Sequence, residues 1–169
     1  MPSPLVRVAS LLVACLLVVS PARGDDWPQW RGPNRDGVWR ESGVVGTIPE
    51  GGLPVRWRVR VLNGWSGPAV AGGRVFLTDH DAKSDHEVER VLCFDAATGK
   101  QLWRHEYACP YGNMEYGNGP RATPTVHDGV VVTIGTMGHL RCLKADSGHV
   151  VWKHDPTELN ISKPQYGVS

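Results

Sequence analysis

A chain of 169 residues is long enough to bury one core, and it carries a formal net charge of +1 with no block of like charges. That balance gives no electrostatic reason to expect nucleic acid or an acidic membrane surface as a partner. Composition points to many short strands joined by tight turns, because 20 Gly and 13 Pro accompany 7 Trp and only 2 Phe. The indole must then be the large packing unit.

Residues 1–24 read as a secretory signal peptide. Arg7 precedes an apolar run from Val8 to Val19, and Ser20-Pro21 breaks it. Ala22 and Gly24 supply the small residues that a signal peptidase reads. The run is too short to span a membrane as a helix. Leu12-Val13-Ala14-Cys15 offers a second reading, a lipoprotein box acylated at Cys15, but the apolar run continues past the cysteine. Cleavage after Gly24 removes Arg7 and Arg23 and leaves 16 basic against 17 acidic residues. The expected location is therefore secreted or periplasmic. Three cysteines remain beyond the leader, Cys93, Cys109 and Cys142. An odd number in an oxidising compartment leaves at least one thiol free or paired elsewhere. No Cys-x-x-Cys-His is present, which excludes covalent c-type haem attachment here.

Residues 25–54 read as an irregular N-terminal segment, and 55–169 as repeated strands. Two stretches repeat: Cys93-Phe94-Asp95-Ala96-Ala97-Thr98-Gly99-Lys100-Gln101-Leu102-Trp103-Arg104-His105 and Cys142-Leu143-Lys144-Ala145-Asp146-Ser147-Gly148-His149-Val150-Val151-Trp152-Lys153-His154. Cys, Ala, Gly, Trp and His recur at an offset of 49. Upstream, Pro68 and Pro124 open a second matched pair of blocks at an offset of 56. The surplus falls at 79–87, which is expected to be an inserted surface loop.

Turn chemistry divides each repeat into four strands. Gly72-Gly73 and Asp128-Gly129 suit two-residue hairpins that need positive φ. Second strands are expected at 74–78 and 130–135, and third strands at 88–94 and 139–143. Asp95 to Gly99 closes the next hairpin, with the Asp95 carboxylate bonding the turn's N–H groups. The fourth strand carries Trp103 or Trp152. Four short antiparallel strands at a period near 50 predict an all-β fold, an incomplete β-propeller of four-stranded blades, about two of them full. Trp103 and Trp152 read as wedges packed over the Gly99 or Gly148 backbone, and Cys93 and Cys142 as small buried packing residues. Val55-Arg56-Trp57-Arg58-Val59 reads as the outer strand of a preceding partial blade. Tyr166-Gly167-Val168-Ser169 reads as the start of a further one, so the chain is expected to stop before a ring could close.

The pattern Cys93-x-Asp95-x-x-Thr98-Gly99-x-x-x-Trp103 resembles the tryptophan-docking motif of quinoprotein-type propellers, with Cys93 where Ala is usual. Its second copy keeps Gly148 and Trp152 but has Lys144 in place of the Asp. The opening Asp26-Trp27-Pro28-Gln29-Trp30-Arg31-Gly32-Pro33-Asn34-Arg35-Asp36-Gly37 is similar to the head of secreted PQQ-binding-like β-propeller repeat proteins, and so is Tyr116-Gly117-Asn118-Gly119-Pro120-Arg121-Ala122-Thr123-Pro124. The resemblance covers nearly all of the chain beyond the leader. It implies seven or eight blades in the complete fold. It also implies one of two activities: a non-catalytic BamB-like binding module, or part of a PQQ-dependent dehydrogenase of alcohols or sugars in the quinoprotein alcohol dehydrogenase-like superfamily.

Antiparallel strands sort the connections onto two ends. The tight turns share one end, while 79–87 and the inter-blade segment 107–121 share the other, which is the expected binding face. Its candidate ligand residues are Tyr111, Asn113, Glu115, Tyr116, Asn118 and Arg121, suited to a protein, peptide or carbohydrate ligand. Asp79, His80, Asp81, Asp85, His86 and Glu87 are metal-binding types at no recognised spacing, so 79–87 reads as a hydrated acidic loop without a metal. No catalytic residue is assigned and no cofactor is evident. PQQ with Ca²⁺ is an expectation only for a complete propeller, whose base and calcium ligands map onto no residue of this segment.

Overall fold

A computed structural model describes residues 24–83, 86–112, 114 and 117–158. The leader up to residue 23, Asn113, Glu115, Tyr116 and the expected blade start at Tyr166–Ser169 lie outside the described residues. Among those described there is no helix, and so none long and apolar enough to cross a membrane.

Eight strands form two separate four-stranded sheets. The first contains β1 (Ala69–Ala71), β2 (Arg74–Asp81), β3 (Val88–Asp95) and β4 (Gln101–Ala108). The second contains β5 (Thr125–His127), β6 (Val130–Ile134), β7 (Leu140–Lys144) and β8 (Val150–His154). Each strand pairs antiparallel with its neighbour in sequence, giving the orders β1-β2-β3-β4 and β5-β6-β7-β8. This is the up-and-down topology of a propeller blade, present twice.

The matched positions of the two repeats are equivalent in the backbone. Cys93 pairs with Trp103 and Cys142 with Trp152, and the register shifts just after each cysteine. Gly99 N–H donates to Asp95 O, and Gly148 N–H to Lys144 O, both at 2.8 Å. Both glycines have φ of 71°, a left-handed conformation that strains any side chain. Asp95 supplements its turn as expected: Oδ1 accepts from Thr98 Oγ1 at 2.7 Å, Thr98 N at 2.8 Å and Ala97 N at 3.1 Å. Lys144 keeps the same turn through backbone bonds alone, so the carboxylate reinforces the conformation without creating it.

Each wedging tryptophan uses a glycine of the following blade. A Cβ at Gly148 would lie 2.6 Å from Trp103 Cε3, and the Trp103 indole N–H donates to Ala145 O at 3.0 Å. One unit earlier, a Cβ at Gly99 would lie 2.7 Å from Trp57 Cδ2, and Trp57 donates to Ala96 O at 2.9 Å. Residues 55–59 therefore fill the wedge position of a preceding blade, although they form no strand. Trp103 is 9% exposed whereas Trp152, with no described turn against it, is 41% exposed. The two indoles are thus equivalent in pairing and different in surroundings.

Between the sheets Trp103 joins Ala69, Phe76, Val91, Cys93, Val131 and Leu143 in one buried cluster. Cys93, Cys109 and Cys142 are all free and buried. Burial pushes the Cys93 thiol up to about 12, so it behaves as an apolar filler.

Trp103→Ala should cost about 3–5 kcal/mol in urea unfolding, against a much smaller loss for Trp152→Ala in this chain. Gly148→Ala should destabilise as well, because both its φ and the indole oppose a methyl group. Thr98, through its hydroxyl and then its amide, holds the Asp95 carboxyl below the usual range. Its stabilising contribution is therefore full above about pH 3.9 and is lost as pH falls through the lower folded value. The urea midpoint of Asp95→Asn should accordingly fall less than that of the parent as the pH is lowered from about 5 to about 2.

Candidate functional site

Of the expected loop 79–87, residues 79–81 belong to β2, while Ser84 and Asp85 lie outside the described residues. β2 and β3 each run to eight residues where β6 and β7 have five, so the surplus extends the hairpin and leaves a connection at 82–87. The extension sets three further pairs, Asp79 opposite Arg90, His80 opposite Glu89 and Asp81 opposite Val88. Asp79 and His80 are 1% and 0% exposed, contrary to the sequence expectation. The reason is that residues 62 and 63 run against the end of β2, with His80 N donating to Asn63 O at 2.8 Å, and Tyr111 stacks on His80. Asp79 Oδ1 and Oδ2 accept from Arg90 Nε and Nη2 at 2.7 and 2.6 Å, and Oδ2 also accepts from Leu62 N at 2.8 Å. A bidentate guanidinium is what allows this carboxylate to be buried.

Glu89 occupies the centre of the same end and is 1% exposed. Its carboxylate accepts from the hydroxyls of Tyr107 and Tyr111 and from Thr136 N at 2.8 Å. Tyr107 comes from β4, Tyr111 from the inter-blade segment and Thr136 from the β6–β7 turn, so one carboxylate fastens both blades and their connection. Burial first, then the Glu89 charge, pushes both phenols above the ordinary tyrosine range and keeps them as donors. Gly135 leaves the room Glu89 occupies, since a Cβ there would collide with its Oε2. The Tyr107 ring also stacks beneath the Arg141 guanidinium at 4.3 Å, and Arg141 pairs with Asp155 at 2.6 Å.

Cys109 Sγ lies 3.6 Å from His139 Nδ1, a thiol–imidazole contact that no local sequence spacing reveals. It is not poised for nucleophilic chemistry. Cys109 is 0% exposed, and burial followed by the Glu89 charge pushes its thiol up. Burial, with Arg141 next, pushes His139 down. Both shifts disfavour the thiolate–imidazolium state that a reactive cysteine needs.

The candidate ligand residues divide. Tyr111 points inward, 0% exposed, with its ring stacked on His80 at 4.3 Å. Asn118 is half-buried, and its Nδ2 donates to Glu87 Oε1 and Gly112 O, both at 3.4 Å. Arg121 donates to Gly119 O at 2.9 Å and Gly117 O at 3.2 Å and lines a cleft. Asn113, Glu115 and Tyr116 lie outside the described residues. The cleft holds about 700 Å³ and is lined by Gln29, Trp30, Arg31, Arg35, Arg121 and Thr123, among others. Sequence reasoning assigned the head at 26–37 no site role. Its clue was present, two arginines near an exposed indole, but only the fold brings Arg121 beside them.

Among the described residues no group of three or more His, Cys, Asp or Glu side chains could hold a metal ion. Glu89 is occupied by two phenols and an amide. These residues do not make a quinone-and-calcium pocket, and no step through such a group follows from them.

Tyr111→Phe should cost about 1–3 kcal/mol by leaving a buried carboxylate with one donor fewer. Combined with Glu89→Gln it should cost less than the sum of the two single changes, as a double-mutant cycle in urea would report.

A family model described as outer membrane protein assembly factor BamB matches residues 87–167. The outer membrane protein assembly factor BamB of Yersinia pestis is 25% identical over 131 residues, covering 73% of this chain and 32% of its own length. The chain thus spans about a third of the length of that curated relative. Among solved structures, a europium-containing methanol dehydrogenase is similar at 22% identity and a TM-score of 0.45, over 63% of this chain and 20% of that one. BamB from Moraxella catarrhalis is similar at 18% identity and a TM-score of 0.32, over 55% of this chain and 33% of that one. The chain thus carries two four-stranded blades of the propeller type, and its residues 87–167 are similar to the BamB family model.

Proposed function

We propose that this chain belongs to a non-catalytic module of the bacterial envelope, which holds a protein partner on its loop-bearing end. The observation that carries this reading is the state of the reactive groups there. Glu89, Tyr111 and Cys109 are buried and engaged inside the protein, while the connections above them are tied to both blades. A rigid platform with its chemistry turned inward suits binding better than turnover. The relative's name, an outer membrane protein assembly factor, supports a partner in outer-membrane protein assembly. It also supports a periplasmic location, reached through cleavage of the leader after Gly24.

N-terminal sequencing of the protein from an envelope fraction should begin at Asp25. The full-length protein given PQQ, Ca²⁺ and an alcohol or sugar panel should neither reduce dye nor acquire quinone absorbance. Turnover in that assay would overturn the non-catalytic reading in favour of a dehydrogenase. With purified outer-membrane assembly components, hydrogen exchange should slow at 107–121 and remain unchanged at the 95–99 turn; the reverse pattern would place the partner on the other end.

A further inference from the structure

The head at 26–37 is built into the fold as a rigid element. Trp27 exchanges backbone hydrogen bonds with Val70 of β1 at 2.8 and 2.9 Å. Val126 N of β5 donates to Pro28 O at 2.8 Å, so residues 26–28 bridge the first strands of both blades. Trp27 then packs on Gly32, where a Cβ would lie 2.9 Å from the ring. From this anchor the chain turns through 29–35. Gly32 N donates to Gln29 O at 3.0 Å, Arg35 N to Gly32 O at 3.1 Å, and Gly37 N to Arg31 O at 2.9 Å.

Two features of this turn exceed what a connector requires. Arg31 and Arg35 have φ of 63° and 57°, and Asp128 is the other described non-glycine residue with a positive φ. Left-handed backbone at an arginine is strained, and such strain persists where the surroundings impose it, often at ligand sites. Both arginines line the 700 Å³ cleft, with Arg121 supplied by the inter-blade segment. Among the described residues none of the three guanidinium groups is paired with a carboxylate. Arg35 Nε donates to Gln29 Oε1 at 3.0 Å, Arg31 Nη2 to Asp36 O at 3.3 Å, and Arg121 to backbone carbonyls. Asp36, the acid within the turn, is drawn to Arg40 at 2.6 Å, and among the described residues no Asp or Glu lines the cleft.

Three guanidinium groups gathered without a counter-charge call for an oxyanion. The remaining lining adds a second requirement. Trp30 is 66% exposed, and Gln29, Thr123 and Thr125 offer hydroxyl and amide groups nearby. An exposed indole beside neutral hydrogen-bonding groups suits the flat C–H face and hydroxyls of a sugar ring, and the cleft has the size of a small-molecule site. From the arginine set and Trp30 together, we propose that this cleft binds a saccharide bearing a carboxylate or sulfate group. The site does not depend on the docking of a protein partner. Its failure would leave the envelope-module reading intact, and the converse also holds.

Titration calorimetry on the full-length protein tests this with four ligands: an oligogalacturonate, a sulfated disaccharide, a neutral galacto-oligosaccharide and hexaglutamate. The acidic sugars should bind about tenfold or more tightly than the neutral one, and should weaken as salt rises. Whichever acidic sugar binds tighter identifies the oxyanion. Arg35→Gln and Arg121→Gln should each weaken binding about tenfold, with Arg104→Gln on β4 as an unaffected control. Arg121→Lys, which keeps the charge and loses the fork, should fall between parent and Arg121→Gln. Ligand should alter tryptophan fluorescence, and Trp30→Phe should abolish most of that change. Equal affinity for the neutral sugar, tighter binding of hexaglutamate, or insensitivity to both Gln substitutions would each overturn the proposal.

Discussion

The contact between one blade's indole and the next blade's glycine is the constraint on which the assembly depends. A four-stranded antiparallel sheet has two faces to cover and cannot cover either with itself. Trp103 spans the gap by laying its ring on the Gly148 backbone and donating its N–H to Ala145 O. The contact demands two things at once: no side chain at the glycine, and a turn that presents a carbonyl at a set height. Glycine at residue 148 meets both, since its left-handed φ closes the hairpin and its missing Cβ leaves room for the ring. Trp57 on Gly99 repeats the arrangement one unit earlier, without any strand around it. The wedge is therefore a property of the indole–turn pair and does not need a completed outer strand.

At the opposite end the blades are joined by polar chemistry. The extended β2–β3 hairpin raises Asp79, His80, Glu89 and Arg90 above the level of the second sheet, where Leu62 bonds Asp79 and Tyr111 meets His80 and Glu89. Buried charge is tolerated there because each carboxylate is met by several donors, Arg90 and an amide at Asp79, and two phenols and an amide at Glu89. The fold thus holds its two units by an apolar wedge at one end and a saturated carboxylate network at the other. Such a network is directional and draws on the inter-blade segment through Tyr111, so it sets the course of that segment and with it the position of Arg121. The cationic cleft is a consequence of that routing.

Much of this was legible in the residues. The repeat, the hairpin turns and the matched Cys, Gly and Trp positions are local patterns, and local backbone chemistry decides them. The role of Trp57 was also readable, though as part of a strand that does not form. The nature of 79–87 was not, because acidic residues and histidines in a length variation look like a solvated loop until their cross-strand partners are known. Tyr111 looked like a surface aromatic for the same reason. Its burial depends on Glu89, 22 residues earlier in the chain, and on Thr136 in the other blade.

The amino-acid sequence by itself determined an all-β chain of two similar four-stranded units with glycine turns and an indole on each outer strand, since periodicity and turn propensity act over a few residues. Only the tertiary structure decided which glycine each tryptophan meets, which charged groups are buried, and that the N-terminal head joins Arg121 in one cleft. Those outcomes depend on contacts between residues far apart in the chain, where burial and hydrogen-bond saturation outweigh local preference.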